Sequence, residues 1–411
     1  MALLLVVIYI TFISLGLPDS LFGVAWPAAH LEFAVNEGFG AIYSIIIGVT
    51  TGGISFFAGG FIRKFGTGIV TAVSVLMTAI SLIGISFAPD IWVMMVFAII
   101  GGFGAGAIDT GLNNFVSLKY KAIHMNWLHC FWGVGVTASP LIMSYFLKNA
   151  TWREGYRTVS YIQFAITIIV FLSLFLWKKY DFKREKQVPE IKQKKPKTSI
   201  IKILKQKGVI FGILSLGFYC SMESLVGTWG ASYIVNVRNL TPDVAAKYVS
   251  AYFGGIMAGR FISGIVSLKV SDKNLIRGGI AVSALGIIML FIPNNITSLI
   301  GLLLIGIGFG PIFPSTLHAI PDRFGDEHSA DITGFHMGGA YAIGFAVQLA
   351  FGFTASATTF KITPFVMIAL CALLCLFAEF TVKKTAKKDF APASTETSVT
   401  SEKIDGDNAE N

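Results

Sequence analysis

The chain has 411 residues, of which 54% are apolar and only 13% carry a charge. Soluble domains carry about 25% charged residues. The mean hydropathy of the chain is +0.70, so its composition excludes an ordinary soluble domain and indicates a protein that is solvated mainly by lipid. The net charge of +9 is concentrated in particular loops, whereas a nucleic-acid binder would spread it over one face. We therefore expect no nucleic-acid partner.

Twelve apolar runs, numbered here as spans 1 to 12, are each long enough to cross a bilayer, which takes about 20 apolar residues. They cover residues 2–31, 38–62, 67–88, 91–118, 125–148, 155–178, 208–237, 244–268, 275–293, 296–318, 331–355 and 360–382. Span 1 has no basic start and continues through Trp26, so we expect a membrane span rather than a cleaved signal peptide. The pattern predicts four regions, namely an N-terminal six-helix bundle (1–178), a basic linker (179–207), a C-terminal six-helix bundle (208–382) and a disordered tail (383–411).

The basic residues predict how the spans are oriented. Of the 32 Lys and Arg residues, 25 lie along one set of loops and the chain ends, six lie in the alternate loops, and Arg260 lies inside span 8. Basic loops face the cytoplasm. We therefore expect a multi-pass protein of the cell (plasma or inner) membrane with both termini in the cytoplasm and membrane lipids around it. The basic linker reads as a solvated segment rather than as a headgroup site.

The two halves of the chain repeat at an offset of 204 residues. Asp19-Ser-Leu-Phe-Gly23 in span 1 matches Glu223-Ser-Leu-Val-Gly227 in span 7, and Gly102–Gly106 in span 4 matches Gly306–Gly310 in span 10. Further matches at this offset are Phe131 with Phe335, Gly135 with Gly339, and Gly60 with Gly264. Parallel repeats related by an axis along the membrane normal, with a site between them, are typical of secondary transporters.

Titratable side chains inside the spans are the candidates for moving a proton. An intramembrane acid is costly unless it faces a cavity or a partner. Asp19 and Glu223 fall near the middle of spans 1 and 7, Asp109 lies in span 4, and His129 of span 5 lies at about the same depth. Asp109 beside His129 would form a site that loads and releases a proton near neutral pH. The alternative for each of these groups is a closed pair that only fixes two helices together.

Other polar and aromatic residues near this depth are candidates for binding a solute. An indole beside hydrogen-bonding groups suits a sugar, since its face stacks while the hydroxyls bond. The predicted solute-binding residues are Trp26, Asn113, Asn114, Gln163, Trp229 and His336, and Arg260 is the predicted gating residue. Core packing is the alternative for each Trp. A packing or gating cation is favoured for Arg260 over an anion-binding one.

The sequence shows no catalytic signature. Gly102–Gly106 alternates with apolar residues inside a span and does not follow a strand, so it is a packing stripe rather than a nucleotide loop. No nucleophile elbow, phosphate loop or metal-ligand spacing stands out. We therefore expect neither an enzyme nor a protein with a cofactor or a metal.

Several motifs resemble a known family. Two six-span halves around a basic linker resemble the major facilitator superfamily, and Gly59-Gly-Phe-Ile-Arg63-Lys-Phe-Gly66 has two glycines of its signature loop, with Arg63 in place of the usual acid. Gly104-Ala-Gly-Ala-Ile-Asp109-Thr-Gly-Leu-Asn113-Asn-Phe115 resembles the G-x-G-x-L-E-T-x-x-N-x-F pattern of the fucose permease type, the fucose–galactose–glucose:proton symporters. Other segments similar to that family are Gly16-Leu-Pro-Asp19-Ser-Leu-Phe-Gly23, Asn126-Trp-Leu-His129 and Gly338-Gly-Ala340.

The resemblance implies an all-α membrane fold of twelve helices in two pseudo-symmetric bundles. It also implies that Asp19 and Asp109 couple proton movement to the solute. Asp109 replaces a Glu of the family pattern, His129 replaces a Gln, and Ile343-Gly344 replaces a turn that contains proline.

We interpret the chain as a monomeric secondary active transporter that moves a small polar solute, a monosaccharide first of all, by proton-coupled alternating access. One alternative is a proton-driven efflux antiporter for amphipathic compounds. The other is a membrane sensor that keeps the fold and does not transport.

Overall fold

The computed structural model describes residues 2–120, 122–178, 203–325 and 329–385. Each of the twelve predicted spans corresponds to a helix within these ranges. The helices are Ala2–Asp19 and Leu21–Glu32 (span 1), Gly40–Phe65 (2), Thr67–Phe87 (3), Ile91–Lys119 (4), Ala122–Asn149 (5), Trp152–Leu172 (6), Val209–Arg238 (7), Pro242–Val266 (8), Asp272–Met289 (9), Asn295–His318 (10), Ser329–Ala357 (11) and Thr363–Thr385 (12). Most of the predicted linker and tail falls outside the described residues.

Eleven of the helices in the described part of the chain are long and apolar enough to cross a membrane. The twelfth is span 9, which has 18 residues and carries Asp272, Lys273 and Arg277 in its first two turns. These charges lower its hydropathy at one end only. Span 9 packs against spans 10 and 12 just as span 3 packs against spans 4 and 6, so it completes the second half.

The same helix pairs form in both halves. Span 1 packs on span 5 as span 7 packs on span 11, and span 2 packs on span 4 as span 8 packs on span 10. The glycine stripes explain the second pairing, because Gly106 lies against the span 2 backbone at Thr51 and Gly310 lies against the span 8 backbone at Gly259. Small residues allow this close approach of membrane helices. The repeat read from the sequence is therefore a structural repeat.

Span 1 is interrupted near its middle. Pro18 has no N–H, so the carbonyl of Ser14 lacks its helical donor. The Gln163 side chain of span 6 supplies that donor through Nε2 at 2.6 Å, and its Oε1 accepts from Ser14 Oγ at 2.5 Å. The helix ends at Asp19 and restarts at Leu21. The break places the Asp19 carboxyl beside a backbone discontinuity.

Several contacts between the two halves lie on one side of the described part of the protein. We call the side of Arg63, Lys64, Lys269 and Arg323 the basic side. On the opposite side Gly23 of span 1 meets Gly227 of span 7, and Ser250 Oγ of span 8 donates to the Thr137 carbonyl of span 5 at 2.8 Å. We call these cross-half contacts the seal. The seal also includes Ser144 with Asp243, Gly38 with Phe353, and Gly48 with Phe345.

Three glycines on the basic side lie in open space among the described residues. A side chain added at Gly60, Gly264 or Gly334, all towards the basic ends of their spans, would meet no described residue within 4 Å. The exposed side chains of Asp19 and Tyr341, in the middle of spans 1 and 11, indicate a cleft between the halves beside the seal.

Candidate functional site

A chain of polar contacts joins the two halves at the closed end of the cleft. Trp132 of span 5 donates its indole N–H to Asp19 Oδ2 at 2.7 Å. The guanidinium of Arg260 from span 8 lies over the Trp132 ring, 4.9 Å from its centroid. Arg260 then pairs with Glu223 Oε1 at 3.5 Å. The two acids that correspond in the repeat are thus connected through an indole and a guanidinium.

These groups face water rather than the packed core. Asp19 is exposed although its neighbours Leu17, Ser20 and Leu21 are buried. The side chains of Arg260 and Glu223 are 15% and 21% exposed. Asp19 bonds to span 5 and interacts electrostatically with Asp109 of span 4, so its exposed surface is that of a cleft between helices.

Asp109 has a different partner from the one expected. Asn113, one turn further along span 4, donates Nδ2 to Asp109 Oδ1 at 2.8 Å and to the Asp109 carbonyl at 2.9 Å. The His129 ring instead packs edge-on against Phe12, with 5.9 Å between the ring centroids, and lies within electrostatic range of Arg260. In the described part of the chain no hydrogen bond or ion pair joins Asp109 to His129. The predicted Asp109–His129 pair is therefore not among the described contacts, in which Asn113 of the same helix bonds to the acid.

The two tryptophans that were expected at the solute lie in the seal. Trp26 is fully buried and donates its N–H to the Glu37 carbonyl at 2.7 Å, and Gly40 packs on its ring. Trp229 is fully buried against Phe351, Phe360 and Gly352. Neither ring is open to the cleft, so both act in packing the closed side.

Gln163 and His336 also lie away from the cleft. Gln163 has no exposed surface, and Ser14 uses both ends of its amide. His336 is 1% exposed, donates Nδ1–H to the Ile332 carbonyl at 2.8 Å, and packs on Gly212 and Phe324. Both predictions read a buried polar residue as a ligand, whereas the fold uses it to close a backbone gap or to pack helices. The Asn114 side chain lies outside the described residues.

Two cleft residues were not predicted as site residues. Trp132 follows His129 by three residues and so shares its helical face. Tyr341 of span 11 is 46% exposed and lies within electrostatic range of Asp19, Asp109 and Glu223. The spacing to His129 was a usable signal for Trp132. Nothing in the sequence sets Tyr341 apart from the other aromatic residues of the spans.

Two six-helix halves with acids at the end of a shared cleft define a membrane transporter of the alternating-access class. Residues 8–349 and 249–402 match the family model of the Major Facilitator Superfamily. The chain therefore belongs to the Major Facilitator Superfamily. This membership confirms the expectation of a multi-pass transporter and not an enzyme.

Individual relatives are distant. The glucose/mannose transporter GlcP of Bacillus subtilis is 24% identical over 74% of this chain and 75% of its own length. The cis,cis-muconate transport protein of Acinetobacter baylyi is 20% identical over 73% of each chain. The crystal structure of the D-xylose-proton symporter superposes with a TM-score of 0.70 at 14% identity, covering 93% of this chain and 97% of that one. Likeness to a structure at this identity shows the fold alone.

Proposed function

We propose that the protein is a secondary active transporter that moves a monosaccharide together with a proton by alternating access. The observation that carries this proposal is the cluster of Asp19, Asp109, Glu223 and Arg260 at the closed end of a cleft shared by both halves. The similarity to a relative named as a glucose/mannose transporter supports a sugar as the solute.

Proton coupling follows from the cost of burying charge. Switching states requires the cleft to close on the basic side, which removes water from Asp19 and Asp109. An ionised acid costs several kcal/mol in a dry site, and two of them near one another also repel. Protonating these acids lowers the barrier to closure. Their deprotonation when the cleft opens on the basic side then releases the proton and weakens the hold on the solute.

The solute lies between the acids and the opposite wall of the cleft. Asn113, Glu223 and Tyr341 offer an amide, a carboxylate and a phenol that reach this space from spans 4, 7 and 11. Sugar hydroxyls both donate and accept hydrogen bonds, so this mixture suits them. Arg260 and Trp132 link the halves and form the gate.

The proposed orientation in the membrane follows from the distribution of basic residues. We propose that the basic side is cytoplasmic in a cell membrane, that both termini lie there, and that the functional unit is a monomer surrounded by lipid. The two bundles, 1–178 and 208–382, move against each other around the cleft, and 179–207 connects them.

The test is uptake of labelled fucose, galactose, glucose, mannose and a polyol into proteoliposomes, with and without an inward proton gradient. We expect gradient-stimulated uptake of at least one sugar, which Asp109→Asn abolishes. The matched control is Glu154→Gln, which removes a carboxyl at the start of span 6 and should transport as the unchanged protein does. Absence of uptake of every sugar by folded protein, or unchanged uptake by Asp109→Asn, would overturn the proposal.

A second candidate solute is a small carboxylic acid. Arg260 is a cation that the described part of the chain places in the cleft, and one relative is named for cis,cis-muconate transport. Uptake of muconate in place of every sugar in the same assay would establish this candidate.

A further inference from the structure

The guanidinium of Arg260 has unused donors. Arg carries five N–H donors in a planar fork. Within the described ranges, its polar partner is Glu223 at 3.5 Å, well beyond the 2.7–2.9 Å of a charge-assisted hydrogen bond. One face of the fork is covered by the Trp132 ring. The N–H groups at its edge are therefore available to a molecule in the cleft.

Glu223 has unused acceptors beside them. Its side chain is 21% exposed, and among the described side chains its carboxylate accepts only the loose contact from Arg260. Tyr252 donates to the Glu223 carbonyl at 3.3 Å and leaves the carboxylate alone. Donor and acceptor therefore stand side by side, and both are partly exposed.

This arrangement is complementary to two adjacent hydroxyls. One hydroxyl oxygen accepts from Arg260 while a hydroxyl proton is donated to Glu223, so both charged groups gain the bonds they lack. A carboxylate has acceptors and no donor. It would bind Arg260 and at the same time face Glu223 with a like charge.

The surrounding groups add to this exclusion. Asp19 and Asp109 lie in the other half of the protein and add no positive charge. Of the titratable neighbours His129, Cys220 and Tyr252, the thiol and the phenol are never cationic, and neutral His129 also adds no charge. Arg260 is already paired with Glu223, so it does not offset the charge of an added anion. Like charges in a poorly solvated site are costly, so an anionic solute meets net repulsion here.

We propose that the Glu223–Arg260 pair is the specificity-determining element, reading the neighbouring C4 and C6 hydroxyls of a neutral hexose and rejecting the corresponding sugar acid, which has a carboxylate at C6. Glu223 is the residue that rejects the acid. Arg260 by itself would accept either. This inference rests on the proposed sugar transport.

The test compares D-glucose with D-glucuronate, which differ by a carboxylate, and D-galactose with D-galacturonate as a second pair. Binding is measured by calorimetry on the purified full chain in detergent at pH 7. We expect the unchanged protein to prefer the neutral sugar by at least tenfold. Glu223→Gln should reduce that preference by tenfold or more, because it removes the repelling charge and keeps a hydrogen-bonding side chain.

The matched control is Glu379→Gln, which neutralises the acid of another Arg–Glu pair, with Arg277, outside the cleft. It should keep the original preference. An unchanged preference in Glu223→Gln, or equal binding of sugar and sugar acid by the unchanged protein, would overturn the inference.

A neutral analogue makes the test independent of folding of the variant. D-glucuronamide has the shape of D-glucuronate without the charge, and the unchanged protein should bind it at least tenfold more tightly than the acid. Equal binding of the two would overturn the inference while leaving sugar transport intact. Failure of the unchanged protein to bind any neutral sugar would instead overturn the proposed function.

Discussion

Spans 1 and 7 occupy equivalent places in the two halves, yet span 1 breaks at Ser20 while span 7 runs unbroken from Val209 to Arg238. The residue that corresponds to Pro18 is Met222, which has the N–H that Pro18 lacks. The residue that corresponds to Gln163 is Met367, and it is fully buried. The first half therefore contains both the gap in the backbone bonding and the amide that fills it, and the second half contains neither. Paired changes of this kind let the halves diverge around the same acid position.

At the ends of the halves away from the basic side, equivalent carbonyls keep their bonds although the donors come from different helices. Arg153 donates to the carbonyls of Ser86 and Ala88 at 3.2 and 2.7 Å. Arg238 donates to the carbonyls of Leu290 and Ile292 at 2.6 and 2.8 Å. Leu290 and Ile292 are the residues that correspond to Ser86 and Ala88 in the 204-residue repeat. The two arginines come from non-equivalent helices, spans 6 and 7. The end of a helix needs donors for its last carbonyls, and different side chains meet the same need.

Substitution of the two equivalent acids should show the largest difference in function between the halves. Asp19→Asn should reduce gradient-driven accumulation to the level of empty liposomes, since the side chain no longer binds and releases a proton. Glu223→Gln should retain a gradient-driven component, because the proposed role of Glu223 is to hold the solute. Uptake and counterflow in proteoliposomes measure this.

Equal loss in both variants would show that the two acids act as one coupled pair. Loss of counterflow in Asp19→Asn would instead point to a damaged solute site.

A substitution in the seal should have the next largest effect, because equivalent residues of the two halves meet there. A side chain at Gly23 would come 1.9 Å from the Gly227 carbonyl oxygen. Overpacking of this kind costs about 1–3 kcal/mol, so Gly23→Val should prevent closure on this side and abolish counterflow. Gly278→Val makes the same exchange where no described residue is within 4 Å, and it should leave counterflow intact. Normal counterflow in Gly23→Val would contradict the seal.

The capping arginines are expected to affect stability rather than transport. Arg238 makes four side-chain hydrogen bonds and Arg153 makes three. Hydrogen bonds to charged groups contribute about 1.5–3 kcal/mol each. Arg238→Gln should therefore lower the free energy of unfolding in detergent more than Arg153→Gln does.

Lys361→Gln, an exposed change on the same side of the protein, is the control and should have no effect. A larger loss in Arg153→Gln than in Arg238→Gln would mean that the exposed Glu32 contact matters more than the loop carbonyls.

The smallest effect is expected at the break in span 1. Gln163→Met leaves the Ser14 carbonyl without a donor and should cost about 1–3 kcal/mol of unfolding free energy, with no change in sugar affinity. Pro18→Met restores the backbone donor, so the double variant should be more stable than Gln163→Met alone. Denaturant unfolding of the unchanged protein, the two single variants and the double variant completes this double-mutant cycle. Strictly additive losses would show that Gln163 acts in some way other than filling the gap at Pro18.

Part of the candidate site was readable from the residues alone. Asp19, Asp109 and Glu223 stand out because an acid inside an apolar run needs a cavity or a partner, and the 204-residue offset pairs two of them. Trp26, Trp229 and Gln163 carry no comparable signal. A buried indole or amide that packs against another helix has the same sequence neighbours as one that binds a solute. Only its rotation about the helix axis separates the two cases.

The amino-acid sequence by itself determined the twelve helices, their six-plus-six division and the glycine stripes, because hydropathy and close helix packing act over neighbouring residues or along one helix face. The tertiary structure decided that Asp19 pairs with Trp132, that Asp109 pairs with Asn113 and not with His129, and that the halves meet at Gly23 and Gly227. These contacts depend on how each helix is rotated and on which side of the cleft is closed. Asp19 and Trp132, like Gly23 and Gly227, are more than a hundred positions apart, so no local pattern encodes their contacts. Asp109 and Asn113 lie one turn apart on the same helix, and there the tertiary structure decided only that His129 is not the partner.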